Sequence, residues 1–437
     1  MPSLNVPTET THQRLAAALE ALYSQGSALD AAVIAVTALK NDAQVAATQA
    51  ENARDTAEEY KDAVMSALPD YSQLVADVET LKVFLYEDSD WQVIQRAVQM
   101  GLGAKLYPVG TEFVVPCVSG APYDSIIFTV IGHDHDKKLE DANAHTMTLL
   151  QKHVIYGRQF DNIEALYYAE DGLLPGTYYF TIHNYDATYG GNKSYQFNLV
   201  NAVPPGGQLV FPWGYNAQAS AAKVSSYSSA ESTTPIESVS VTEGTNGTFL
   251  GITDGTSTNM NHIHRARYGS NNWEESAARQ WLNSRSAANQ WWRPMTKYDR
   301  PPSYANVAGY ASYLDPAFYN VIANTSHLNR TNELFDLNGT KQAYSTEEKF
   351  FLLSTEEVGF STESGINTGS VYEFFNGSTN EDRIKYDISS RSTARYWWLR
   401  APYPSNALSV RYVNTSGALS GSDAYYGIGL AAACVIC

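Results

Sequence analysis

From Leu15 onward, apolar residues recur at alternating spacings of four and three: Leu15, Leu19 and Leu22, then Leu29, Val33 and Val36, then Ala43, Ala47, Ala50, Ala57, Val64 and Leu68. A seam of that period over several heptads predicts a coiled coil. A helix from 13 to 68 would extend about 80 Å at the usual rise per residue. The register continues past Pro69 through Tyr71, Val75, Val78 and Leu85, so Pro69 is read as opening a second helix, where proline is tolerated. One chain alone does not satisfy so long a seam. Residues 13–90 are therefore predicted to form an oligomerisation stalk behind a polar segment, 1–12. Alanines fill the middle of the seam, and Gly26, Lys40, Arg54, Lys61 and Lys82 stand at core-type positions, which leaves the oligomer number weakly specified. A helical hairpin turning back at Pro69 is the alternative packing.

At Trp91 the period changes. Before Gly101 there is one glycine, Gly26, and no tryptophan precedes Trp91. WQVIQRAVQMGLG predicts a short helix ending at glycine. EFVVPCV (Glu112 to Val118) and IIFTVIGH (Ile126 to His133) predict strands, being β-branched and bounded by Gly, Pro and Asp. Strand and turn signals alternate from 160 to 240, followed by a Ser/Thr-rich stretch around Val224 to Thr245. Two helices are predicted further on, one after Asn272 with Glu275 placed for a capping box, and one opened by Asp315 as N-cap and Pro316 at the first helical position. The fold class is α+β.

Composition narrows the function. The chain of 437 residues is 44% apolar and 12% aromatic, enough for a packed core. Its net charge of −17 comes from 46 carboxylates against 29 Lys and Arg, which argues against a binder of nucleic acid. The N-terminal MPSLNVPTETTHQRL has no basic or apolar leader region, and no run of apolar residues is long enough to span a bilayer. Signal-directed export and membrane insertion are not expected. Cys117, Cys434 and Cys437 are too few and too uneven for a disulfide framework.

The segment from Leu399 to Cys437 contains no Lys, Glu, Gln, Met or Trp, although all five occur upstream. Those are the residues that a codon ending in a pyrimidine cannot encode. Randomising the adenines of Asn codons would leave such a composition and never create a stop. A steady frame of Trp397-Trp398-Leu399-Arg400, Pro402, Gly417 and Leu430-Ala431-Ala432-Ala433 alternates with Tyr, Ser, Gly, Asp, Leu and Arg. Tyr, Ser and Gly are favoured in antibody paratopes, because rigid Tyr supplies contact area and small polar residues supply adaptable hydrogen bonds.

IGHDHD (Ile131 to Asp136), RYGSNNWEESAARQWLNS (Arg267 to Ser284), KFFLLSTEEV (Lys349 to Val358), GSVYEFFNGSTNEDRIKY (Gly369 to Tyr386), WWLRAP and the ending GLAAACVI occur in this order. Together they resemble the variable proteins of diversity-generating retroelements. In that group an adenine-directed reverse transcriptase rewrites a C-terminal repeat displayed on a C-type-lectin-like domain. The resemblance covers Trp91 to the C-terminus and implies such a domain over 91–437, with 160–240 as a β-rich insertion and 397–437 as the variable region. Members are often tail-fibre or receptor-binding proteins of bacteriophages and prophages. The implied function is binding of a host cell-surface receptor, protein or glycan, from the virion's attachment apparatus, after synthesis in the bacterial cytoplasm. The implied assembly is a homo-oligomer, a trimer by analogy with phage fibres, joined to other tail proteins through the N-terminus. By family pattern and permitted residue type, the rewritten, ligand-contacting positions are Tyr403, Leu408, Ser409, Tyr412, Ser420, Gly421, Ser422, Asp423, Tyr425, Tyr426 and Ile428, all expected to face solvent. A structural fibre or spacer protein is the rival reading. An enzyme of the formylglycine-generating type is a weaker one.

Catalytic and metal chemistry find little support. His133-Asp134-His135-Asp136 has strand-face spacing for a metal, repeated by His262 and His264, but no third anchor follows. The group is read instead as pinning loops at a strand end. The Glu-Pro-Asn and Gln-Pro-Asp signatures of calcium-bridged sugar binding are absent. Cys434 and Cys437 imitate a redox pair, yet lie in an apolar run that reads as a buried terminal strand. No enzyme activity, metal or cofactor is expected. One or both of Trp397 and Trp398 are read as core supports.

Overall fold

The computed structural model describes Lys61 and residues 90–165, 167–182, 193–210, 221–226, 235–250, 269–295, 299–331, 342–363, 365–404 and 408–437. The predicted stalk, apart from Lys61 and Asp90, lies outside the described residues. The chain divides into two compact units, Met1–Pro108 and Val109–Cys437. The described part of the first holds helix α1 (Asp90–Gln99) and the single turn α2 (Gly103–Leu106). Trp91, Ile94, Ala97 and Val98 form the buried stripe of α1, the three-and-four spacing of an amphipathic helix.

The second unit is mixed and rich in sheet. Strands β1 (Glu112–Pro116), β2 (Ser125–His133), β3 (Met147–Gln151) and β4 (Ile155–Arg158) open it. Next come β5 (Tyr167–Ala169), β6 (Gly176–Ile182), β7 (Lys193–Leu199), β8 (Gly207–Val210), β9 (Ala221–Ser226), β10 (Pro235–Glu243) and β11 (Thr248–Phe249). Helices α3 (Ala277–Leu282) and α4 (Pro316–Val321) precede β12 (Thr325–Arg330), β13 (Ala343–Glu348) and β14 (Phe350–Phe351). The remaining strands are β15 (Lys385–Tyr386), β16 (Ala394–Arg395), β17 (Trp397–Pro402), β18 (Ser409–Val413), β19 (Leu419–Asp423), β20 (Ile428–Leu430) and β21 (Ala433–Ile436).

Two five-stranded sheets carry the tail. The first has the order β1-β2-β3-β21-β14, the second β19-β18-β17-β20-β4. Edge strand β1 alternates between exposed and buried residues, whereas β3 and β21, inside the sheet, are buried throughout, as strands covered on both faces are. The last strand pairs with β3 from Ala433↔Leu150 to Ile436↔Met147, so the chain end is part of the core.

A separate seven-stranded sheet of order β11-β6-β7-β10-β9-β8-β5, with β11 and β5 at its edges, is formed by strands between Tyr167 and Phe249. The strands of this sheet run from 167 to 249, against the 160–240 read from the sequence. Phe160 belongs to the core instead, its ring 5.9 Å from Trp273 and 6.0 Å from Trp398. Asp315 caps α4 as expected, accepting from the Ala317 N–H at 2.7 Å with Pro316 in the first turn. The other helix starts later than expected. Ser276, not Asn272, caps α3 by accepting from Arg279 N–H, and Glu275 instead accepts from the Ser270 hydroxyl at 2.8 Å.

Candidate functional site

The frame beneath the tail is built from buried side chains, most of whose polar atoms are hydrogen-bonded; Arg400 Nε is an exception. Trp397 and Trp398 are fully buried, in keeping with a core role. Their indole N–H groups donate to the carbonyls of Arg383 and Arg158, each at 3.0 Å. Arg400 donates to both carboxylate oxygens of Glu357 at 2.6 Å, and to the carbonyls of Leu352 and Thr368. Burial opposes the charge on Arg400, but Glu357 outweighs it and holds the guanidinium above its ordinary range. The IGHDHD segment pins its surroundings. Asp136 accepts from the Thr148 hydroxyl and from Tyr372 OH at 2.8 Å, and burial together with the charge of Glu357 raises its pKa. Asp134 accepts from Thr146 N–H and contacts His145 Nδ1.

On this frame β17, β18 and β19 present the tail. The register runs Trp398↔Tyr412, then Tyr412↔Ser420, Arg411↔Gly421, Val410↔Ser422 and Ser409↔Asp423. Successive residues of a strand point to opposite faces, so the candidate positions fall into groups. Tyr412, Ser420 and Ser422 share one face; the Tyr412 ring lies 5.3 Å from Tyr396 and 6.0 Å edge-on from Trp398. Ser409, Gly421 and Asp423 share the other with Arg411, whose guanidinium carbon sits 3.9 Å from the Tyr403 ring. Tyr425 and Tyr426 form a third group in the turn before β20, their rings stacked at 4.4 Å. The Gln159 amide steadies that turn by donating to the Tyr425 carbonyl at 2.7 Å.

Accessibility divides the set. Tyr426 is 44% exposed, and Tyr403, Tyr412, Ser420, Gly421, Ser422 and Tyr425 are half-buried. Leu408, Ser409, Asp423 and Ile428 are buried, so the expectation that every candidate faces solvent fails at these four. Ser409 lies on β18, between β17 and β19, and its hydroxyl donates to Asp423 at 3.1 Å. Ile428 lies on β20, between β17 and β4. Burial lifts the Asp423 carboxyl to about 6. The hairpin tip needs Gly417: its φ is +77° and a Cβ there would stand 1.6 Å from the Asn380 carbonyl oxygen, space only a glycine leaves.

Three residues of this region were not among the expected contacts. Tyr396, 39% exposed, extends the aromatic face of Tyr412 and stands just before the Trp pair, where its alternation with buried Trp397 was the available signal. Arg411 lies between two buried-strand positions and is held by Glu363, whose carboxylate accepts from Arg411 Nε at 2.9 Å and from Arg330 at 3.1 Å. No local pattern announces a pair so far apart in sequence.

Among the described residues, no group of three or more His, Cys, Asp or Glu is arranged to hold a metal ion. Cys434 and Cys437 are buried, and burial raises both thiols, which suppresses the thiolate that redox or nucleophilic chemistry needs. No described helix is long and apolar enough to cross a membrane.

Residues 246–436 match the model of DUF6273, a domain of unknown function. The match takes in the frame and every candidate position. No curated protein and no solved structure matches the chain.

Proposed function

We propose that this chain is a receptor-binding protein of a phage or prophage tail, whose retroelement-diversified C-terminal surface, carried on a C-type-lectin-like domain, binds a host-surface receptor. The observation that carries the reading is the juxtaposition of two kinds of residue. A tail limited to residue types that pyrimidine-ending codons can encode supplies accessible Tyr403, Tyr412, Ser420, Ser422, Tyr425 and Tyr426. Directly under it lies a frame of buried Trp397, Trp398 and Arg400 with every indole N–H bonded. A frame of that kind holds its shape while the side chains above it change. Tyr-rich, small-residue surfaces also suit recognition of varied targets.

The heptad seam supplies the rest of the proposal: a stalk, a homotrimer, and attachment to other tail proteins through the N-terminus. Several heads on one stalk would raise weak single contacts to useful avidity. The test of diversification is the DNA beside the gene. It should hold a reverse transcriptase and a near-copy of the 399–437 coding region with Asn codons at the candidate positions. A neighbourhood with neither, together with recombinant protein that does not compete with the particle for host cells, would favour the fibre-spacer reading.

A further inference from the structure

At Gly421 the backbone does not require glycine, since its φ is not among the positive values of this chain. What bars a side chain there is one neighbour. A Cβ built on Gly421 would lie 2.6 Å from Tyr403 Cδ2 and 3.2 Å from Tyr403 Cε2, and its next neighbour is Arg411 Nη1 at 3.7 Å. None of these three nearest atoms is backbone. The Tyr403 ring, meanwhile, also lies against the Arg411 guanidinium at 3.9 Å. Arg411 is in turn fixed by Glu363, which also accepts from the buried Arg330. A ring caught between an anchored cation and the bare Gly421 backbone cannot yield to a new side chain without leaving the cation.

We infer that positions 403 and 421 form one steric unit of the tail surface, in which a large side chain at either position requires a small one at the other, with Arg411 and Glu363 as positioning residues for the ring. This rests on the reading that both positions are rewritten contact residues. Its consequence for specificity is direct. Rewriting the two codons independently yields large–large pairs that lose the Tyr403–Arg411 stack, so the repertoire the tail can display is smaller than the product of its single positions. An aromatic anchor on this face is contributed by the residue just after β17 or by β19, never by both.

The experiment is a double-mutant cycle in the full chain: Tyr403→Ser, Gly421→Tyr and the two together, each followed by thermal melting, with Gly421→Ala as a smaller probe. Gly421→Tyr should lower the melting temperature clearly, Tyr403→Ser only slightly, and the double variant should recover at least half of the loss. A purely conformational need for glycine would not be rescued by a change at 403. A library with both codons randomised to pyrimidine-ending triplets, sorted for protease resistance without any receptor, should show large–large pairs depleted roughly tenfold against the product of single frequencies, within the range of coupling between touching residues. A double variant as unstable as Gly421→Tyr, a Gly421→Tyr protein that melts like the parent, or undepleted large–large pairs would overturn the inference. Adsorption to host cells, measured on the stable variants, separates the two claims. Rescue with unchanged adsorption upholds the steric unit and contradicts the receptor reading; altered adsorption without rescue does the reverse.

Discussion

Arg400, in the middle of the buried strand β17, and Glu357 meet in a two-pronged ion pair, both contacts at 2.6 Å. Both residues are buried, so the pair is not a surface ornament. Removing one partner leaves the other's charge uncompensated, which costs about 3–5 kcal/mol for a buried pair. Glu357→Gln and Arg400→Met should each lower stability by that order in urea denaturation. The double substitution should fall well short of the sum, because neither charge is then left alone.

Trp398 supports the tail from beneath. Its ring meets Phe160 and Tyr412, and its N–H is bonded to Arg158 carbonyl. Trp398→Ala should destabilise the protein by about 3–5 kcal/mol, the usual range for truncating a buried aromatic. A variant that melts like the parent yet no longer binds host cells would make the indole a contact residue instead.

The strand signals, the Asp315–Pro316 helix start and the buried tryptophans were legible because each is written in a few neighbouring residues. Glu275 misled because a Ser, Thr, Asn or Asp three residues before a Glu is only a local pattern, and Ser270 claims the Glu275 carboxylate. The residue composition of the tail suggested the candidate positions, but says nothing of the strand register that sorts them. Only the pairing of β18 with β19 divides Tyr412 from Gly421 and seals Ser409 against Asp423. Glu363, which orients Arg411 from a distant loop, has no sequence signature at all.

Asp423 gives the tail a pH dependence. Burial raises its folded pKa to about 6 from an ordinary 3.8, so between those values the folded state binds more protons than the unfolded one. Its contribution is therefore most favourable near pH 4 and lost as pH rises through about 6. Asp423→Asn, which keeps an acceptor for Ser409, should exceed the parent in stability at pH 7.5 by up to about 3 kcal/mol and converge with it near pH 4. Parallel melting curves for the two proteins from pH 4 to 8 would contradict this.

The stalk reading makes a prediction about mass. A chain beginning at Trp91 lacks the seam from Leu15 to Leu68 and should lose subunits at micromolar concentration in light scattering, since the seam supplies the association. An unchanged subunit number would move oligomerisation to the C-terminal part of the chain.

The receptor claim is tested most directly at Tyr425 and Tyr426, whose stacked rings project from the turn between β19 and β20. Tyr426→Ala and Tyr425→Ala should each be measured for melting temperature and for the ability of the purified protein to compete with the parent particle for host cells. At least one should lose about 2 kcal/mol or more of binding, roughly thirtyfold in affinity. Stability at the exposed Tyr426 should move by no more than about half a kcal/mol. Full competition by both variants, with loss appearing instead on changes in the 167–249 sheet, would put the receptor surface on that sheet and contradict the account.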